Sequence, residues 1–489
     1  MSDGPSGSIP SLHQKGTIMS STRSPLRRSA LAVGALVGSA LLALTACSSS
    51  GSGPGSTDGA GAGGNGSSAS AAALDANGYT KGVADALAKG GSFTVWTWIP
   101  QIKDLVSAFE AKYPKVKVKV VNAGSGADEY TKLQNVISAG NGIPDLAQVE
   151  YFALPQFALK KSLTDLTSYG AGAYQDKFIK SVWGAVDANG GIYGIPQDSG
   201  PMAFFYRADL FKKFGLTVPK TWDEFVADAK KLKAADPNAY MTSDGGDAGF
   251  TTSMIWQAGG HPYTVDGTKI KINFNDPGTK KWVSTWDQLV QGKLVDTKTP
   301  GWSDGWFKNL NNGTYVSMIS GAWWPGILES SVKDTVGKWR AAPMPQYAAG
   351  QQATAANGGS SFALPKGGSN QLLALGFTEW MNTTAQGIGI WTKGGAFPST
   401  TAQLSDPTWL NDPISYFGGQ KVNQVLASAA NNVVNGWSYL PFQVYANSIY
   451  GDTVGKSYSS NSDLAPGLAN WQKKSADFGK QQGFSVSTG

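Results

Sequence analysis

Ser92-Phe93-Thr94-Val95-Trp96-Thr97-Trp98 opens the stretch that decides the fold, and Asp145-Leu146-Ala147-Gln148-Val149-Glu150 closes it. The opening run is rich in β-branched and aromatic residues and predicts a strand. Pro100 then starts a helix, in which Ile102, Leu105, Val106 and Phe109 recur at helical spacing. From Lys115 to Val121 the chain alternates, with Val116, Val118 and Val120 on one face and Lys115, Lys117 and Lys119 on the other, which is the pattern of a half-solvated strand. A second helix is expected over roughly residues 128–139, stopped by Gly140, and the closing run is a third strand. Strand, helix, strand, helix, strand is the rhythm of an α/β unit with parallel strands.

Further along, Val182 to Val186 and Ile192 to Pro196 flank Asp187-Ala188-Asn189-Gly190-Gly191, whose Asn-Gly predicts a hairpin turn. The segment also begins like a calcium loop, with Asp187, Asn189 and a closing carboxylate at Asp198, but Ile192 stands where the loop requires glycine. Thr221-Trp222-Asp223-Glu224 is a capping box that starts a helix running to about Ala235. Lys269 to Asn273 reads as a short strand, and residues 280–291 and 371–382 read as helices. The chain has no tandem repeat of the solenoid or propeller kind.

The whole chain has 489 residues, 41% hydrophobic and 15% charged, a globular composition with room for roughly two to four domain-sized units. Cys47 is the single cysteine, and His13 and His261 are the two histidines. Disulfide scaffolds, zinc fingers, Cys-His nucleophile pairs and iron–sulfur clusters are thereby excluded, and neither a metal nor another cofactor is expected. At the other end of the argument, Arg23, Arg27 and Arg28 precede an apolar run from Ala30 to Ala46, as in a secretory signal. Its ending, Leu44-Thr45-Ala46-Cys47, resembles the lipobox of bacterial lipoproteins. That resemblance implies a signal peptide over 1–46 and a diacylated Cys47 that anchors the mature protein to the membrane. The alternative is a transmembrane helix with a chance cysteine, for which the run is shorter than the ~20 residues of a span.

Residues 48–73 hold 8 Ser and 8 Gly, too little apolar surface to fold, so residues 47–90 are expected to be an anchored Gly/Ser-rich tether. As a coil it would reach roughly 25–30 Å. Removal of residues 1–46 leaves 36 basic against 33 acidic residues, so the net charge falls from +6 to +3. That balance is too mild to argue for nucleic acid.

Three segments carry a family resemblance: Gly191-Ile192-Tyr193-Gly194-Ile195-Pro196-Gln197-Asp198, then Phe204-Phe205-Tyr206-Arg207-Ala208-Asp209-Leu210-Phe211, then Gly215-Leu216 with Pro219-Lys220-Thr221-Trp222-Asp223-Glu224-Phe225. Together they resemble the signature of carbohydrate-type extracellular solute-binding proteins of ABC importers, family 1, the group like maltose-binding protein. Ala139-Gly140 with Pro144-Asp145, Gly313 with Met318, Gly321, Ala322 and Trp323, and Lys393-Gly394-Gly395-Ala396-Phe397-Pro398 extend the likeness over about residues 92–480. One departure is Arg207, where members usually carry Asn.

The resemblance implies a two-lobed, type II periplasmic-binding fold with hinge crossovers near residues 204–208, 341–357 and 405. The N-terminal lobe would take 91–204 plus 357–405, and the C-terminal lobe 205–356 plus 406–489. It implies a monomer, outside the cytoplasm, that closes on a solute and delivers it to ABC permease subunits without covalent chemistry.

Sugars present apolar C–H faces beside hydroxyls, so a site for them needs aromatic platforms with carboxylates and amides. The chain has 17 Trp. Trp222, Trp282, Trp286 and Trp380 read as structural, from their place in helices. Trp98 ends the first strand, where ligands gather in doubly wound sheets, and either stacks on sugar or packs in the core with Trp96. Trp256 and Trp391 stand near Gly259-Gly260 and Gly394-Gly395, which permit close backbone approach. By resemblance, Trp323 with Trp324 takes the sugar-stacking position, and Glu150 with Tyr151 a cleft position. Gln197 and Asp198 carry the family's polar contact, unless Asp198 instead caps a turn. Gly359, between Gly358 and Ser360, either offers backbone N–H groups or makes a plain turn.

Two rivals remain. An exported carbohydrate-active enzyme would have to work with carboxylates alone, since the folded body lacks a Gly-x-Ser-x-Gly elbow and holds one His. A binding protein for a peptide or polyamine would share the fold. Gly451 to Ser457 approaches a phosphate loop but has three residues between the glycines where four are required.

Overall fold

The computed structural model describes residues 74–188 and 190–489. Its first sheet runs, edge to edge, Val116–Val121, Gly91–Trp96, Leu146–Glu150, Ser360–Ala363 and Ile195–Pro196. The first three strands are parallel and are linked by the helices Ile102–Lys112 and Ala127–Ala139, so the α/β unit stands as read. Val116–Val121 is the edge strand, which leaves Val120 36% exposed although it alternates with lysines. Ser360–Ala363 joins antiparallel to Leu146–Glu150, bringing the distant part of the chain back beside Glu150.

The second lobe is built on the antiparallel sheet Ser317–Gly321, Met202–Arg207, Trp339–Ala342. A smaller sheet pairs Lys269–Ile272 with Tyr263–Asp266 and with Ser485–Thr488. Trp222, Trp282, Trp286 and Trp471 form the heart of one core here, with Trp222 and Trp286 edge-to-face at 5.5 Å. Trp306, Trp324, Trp339 and Phe417 form another on the opposite face of the sheet. The capping box is present: Thr221 Oγ1 accepts from Glu224 N, and the Glu224 carboxylate accepts from Thr221 N. Arg207, the family departure, is buried and forks onto Asp209 with Nε–Oδ1 2.9 Å and Nη2–Oδ2 2.7 Å, so its charge is neutralised in place.

Two expectations need correction. The stretch 79–90 belongs to the first lobe and is not tether: Tyr79, Val83 and Leu87, four apart, form an apolar stripe buried against the helix Gln371–Thr383. Gly376 of that helix lies so close that a Cβ would sit 2.8 Å from Val83 Cγ1. The hairpin at 187–192 exists, but its arms are only Asp187–Ala188 and Gly191–Ile192, and Lys180–Val186 is a helix. Val182, Trp183 and Val186 fill the lobe core from one helical face, and that burial overrides their strand preference. Cys47 and the signal segment lie outside the described residues. Among the described residues no helix is long and apolar enough to cross a membrane.

Between the lobes two segments cross side by side, the first at 200–202 and not at the expected 204–208, which already lies in the central strand of the second lobe's sheet and the helix that follows it. Asn357 N donates to Gly200 O at 2.7 Å, and Met202 N donates to Ala355 O at 2.8 Å. A third crossing at 397–405 touches both sides: Thr400 bridges Phe178, while Phe397 and Leu404 enter the second lobe's core. Gly200 is pressed against the Asn357 carbonyl so tightly that a methyl group would overlap it. Gly200→Ala is therefore expected to cost about 1–3 kcal/mol, read as a lower urea midpoint at unchanged slope.

Candidate functional site

A cleft of about 960 Å³ lies between the lobes. Its walls come from the carboxyl ends of strands and the turns that follow them, where doubly wound sheets place ligands. Leu146–Glu150 ends in Glu150, Gly91–Trp96 leads to Trp98, and Ser317–Gly321 leads to Trp323.

Gln148 organises the first wall. Its Oε1 accepts from Thr97 Oγ1 at 2.7 Å and from Trp98 N at 3.3 Å, while Nε2 donates to Ser360 Oγ at 3.2 Å. Glu150 Oε2 accepts from the Tyr130 hydroxyl at 2.9 Å. Burial pushes the Glu150 carboxyl up to about 7; the Tyr130 hydrogen bond opposes this, and the charges of Asp198 and Asp247 add to it. Asp198 Oδ1 accepts from Ser360 N at 2.6 Å, and burial raises its pKa to about 7 against that bond. Across the cleft, Asp247 caps the helix Ala248–Gln257 by accepting from Phe250 N at 2.7 Å.

The aromatic platforms are Trp98, Trp302 and Trp323. Trp323 is half-buried and donates from Nε1 to Asn357 O at 2.8 Å. Gly358, at φ +73°, lets the ring approach, since a Cβ there would stand 3.3 Å from Nε1. Trp302 is 58% exposed, leans on Trp323 at 5.8 Å, and holds a left-handed backbone at φ +67°. Such a conformation costs a bulky residue roughly 1–2 kcal/mol, so the loop around it maintains an exposed indole in the cleft against strain.

Of the nine expected ligand contacts, Trp98, Glu150, Asp198, Trp323, Gly359 and Trp391 line the cleft. Three do not. Tyr151 is buried below it, donates its hydroxyl to Asp198 O at 2.8 Å, and packs under Gly359, whose Cβ would meet the ring at 2.8 Å. Trp256 turns into the core, stacked on Trp437 at 5.1 Å and bonded to Val434 O at 2.6 Å. Trp324 is 1% exposed, because the residue next to Trp323 in a starting helix points to another side.

Residue type alone did not reveal Trp302, Asp247, Gln148 or Tyr439, which also line the cleft. A signal for Trp302 existed: it sits between Pro300-Gly301 and the N-cap Ser303, outside any apolar periodicity that would bury it.

The chain matches the family of bacterial extracellular solute-binding proteins over residues 96–388. A solved ABC transporter associated binding protein from B. animalis subsp. lactis Bl-04, in complex with β-1,6-galactobiose, is 42% identical and superposes with a TM-score of 0.76 over 81% of this chain and 99% of that one. The galacto-N-biose-/lacto-N-biose I-binding protein of Bifidobacterium longum, in complex with lacto-N-biose, is 28% identical at a TM-score of 0.72, over 81% and 99% of the two chains. A lactose-binding protein of Rhizobium radiobacter is 27% identical over 70% of this chain and 82% of its own.

The folded state holds the Glu150 proton more tightly than the unfolded chain, moving its pKa from 4.5 to about 7. Its contribution to stability is therefore complete below about pH 4.5 and lost as pH rises through about 7. Glu150→Gln keeps an acceptor for Tyr130 and removes the charge. Between about pH 5 and about pH 8 its unfolding free energy should fall less than the wild type's, by on the order of 1–3 kcal/mol, as urea melts at both pH values would show.

Proposed function

Because this chain belongs to the bacterial extracellular solute-binding proteins, we propose that it captures a short oligosaccharide between its lobes and hands it unchanged to an ABC permease. One observation carries this reading: four indoles, Trp98, Trp302, Trp323 and Trp391, share a single cleft with carboxylates and with the Gln148 and Gln197 amides. Indoles cover the C–H faces of sugar rings, and the polar groups take the hydroxyls. At about 960 Å³ the cleft has room for more than one ring. The 42% identical relative, solved with β-1,6-galactobiose, makes a galactose disaccharide the first ligand to try.

Binding would favour the closed form through contacts with both lobes, Glu150 and Asp198 on one side and Trp302, Trp323 and Asp247 on the other. The crossings at 200–202, 355–357 and 397–405 serve as the hinge. We further propose that Cys47 is lipidated after removal of residues 1–46 and holds the protein outside the cytoplasmic membrane, as a monomer.

The test is a thermal-shift and calorimetric screen of residues 74–489 with mono- and oligosaccharides, and with peptides and polyamines as controls. A sugar at 100 times its dissociation constant should stabilise the protein by about 2.7 kcal/mol. Trp323→Ala and Trp302→Ala should each weaken it by about tenfold or more, and chromatography should recover the sugar intact. Stabilisation by a control ligand alone would overturn the sugar reading, and turnover of the sugar would make the protein an enzyme.

A further inference from the structure

We propose that the cleft selects by charge, accepting hydroxyl-rich ligands without acid groups and rejecting anionic sugars, with Asp247 as a specificity-determining residue. This rests on the sugar-binding reading above and narrows its substrate class.

Among the described residues, Glu150, Asp198 and Asp247 line the cleft, and no Lys, Arg or His does. The ion pairs found among those residues, Lys117–Glu110, Arg207–Asp209 and Lys473–Asp477, all lie elsewhere. Nor do the three acids converge into a group that could hold a metal. They come from separate elements and from both lobes, so the negative field belongs to the cleft as a whole.

Two further groups show that this wall is built to receive hydrogen bonds. Gln197 is 2% exposed and lines the cleft, and neither its Oε1 nor its Nε2 has a partner among the described residues. Trp391 Nε1 is a buried donor in the same condition. Sugar hydroxyls satisfy both kinds of group, donating to carboxylates and to an amide oxygen and accepting from N–H groups. A ligand carboxylate could accept from Gln197 Nε2 and Trp391 Nε1, but it can donate to none of the three acids, and it adds charge to charge in a site with no cation among the described residues to offset it. At an effective dielectric near 20, one like-charge pair within about 8 Å is enough to weaken binding by about tenfold or more.

Burial raises Glu150 and Asp198 to about 7 and pushes the Asp247 carboxyl up from its ordinary value as well, so the comparison belongs at about pH 8, where ionisation of the acids is favoured. The probes are β-1,6-galactobiose, the same disaccharide with galacturonic acid as its non-reducing unit, and the neutral uronamide of that acid, which has its shape without its charge. Calorimetry should show the acid binding about tenfold or more below the uronamide. Asp247→Asn, which can still cap its helix, should narrow that ratio by about threefold or more. Equal binding of acid and uronamide by the wild type would overturn the proposal and leave the sugar-binding reading intact, and so would a ratio unmoved by Asp247→Asn for the role of that residue.

A second readout needs no sugar at all and decides the matter if galactobiose fails to bind. Trp302 stands in the cleft and is exposed. Its fluorescence, taken as the difference between wild type and Trp302→Phe and divided by the quenching of free N-acetyltryptophanamide by the same ion, should respond more to caesium than to iodide at equal ionic strength, and Asp247→Asn should bring the two ratios closer. A normalised iodide quenching equal to or stronger than the normalised caesium quenching would overturn the charge selection.

Discussion

Asn357 is held from both sides. Its N–H is bound by the carbonyl of Gly200, and its own carbonyl is bound by the indole of Trp323. The first bond ties one crossing segment to the other, and the second ties the crossing to the aromatic platform of the cleft. Two positions before it, Ala355 O accepts from N of Met202, which begins the central strand of the second lobe; three positions after it, Ser360 begins a strand of the first lobe's sheet and donates its N–H to Asp198. Hinge and binding wall are therefore one piece of chain. A rotation of the lobes about this point displaces Trp323 relative to Asp198, and no separate relay is needed between them.

The glycines around this point serve the same constraint. Gly200 yields room for a carbonyl, Gly321 and Gly358 for an indole, and Gly359, at φ +101°, for the ring of Tyr151. Side chains at these places would push apart the surfaces whose contact defines the site. The acids of the cleft show a related conflict. Glu150 and Asp198 sit where their charge is poorly solvated, and each is steadied by one bond, from Tyr130 and from Ser360 N respectively. Buried polar groups with no partner among the described residues, such as the Gln197 amide, are the ones a hydroxylated ligand can satisfy.

Much of this was legible in the sequence. Periodicity exposed the parallel unit from Ser92 to Glu150, and the Thr221 box announced its helix, because both signals are local. Trp282 and Trp286, four apart, read correctly as core for the same reason. What escaped was the side to which a residue turns. Trp323 and Trp324 are chemically identical neighbours, yet one lines the cleft and the other is 1% exposed, and only the direction of the helix start separates them. Trp256 was drawn inward by Trp437, a partner 181 positions away, which no local pattern contains. The stripe of Tyr79, Val83 and Leu87 was present in the sequence but followed so closely on the Gly/Ser-rich run that it was read as part of it.

That stripe also fixes where the chain that precedes it is fastened. Tyr79 meets Tyr113 through their hydroxyls, Thr80 donates to Glu379, and the helix Val83–Lys89 packs along Gln371–Thr383 before the chain enters the sheet at Gly91. These partners all belong to the first lobe, and Gly91 lies at the end of its strand opposite Trp98. The described chain ahead of the sheet is therefore fastened to one lobe alone, through contacts that lie apart from the crossings at Gly200 and Asn357. Under the proposed lipid anchoring, tension from the membrane side would fall on the first lobe and leave the movement of one lobe against the other free.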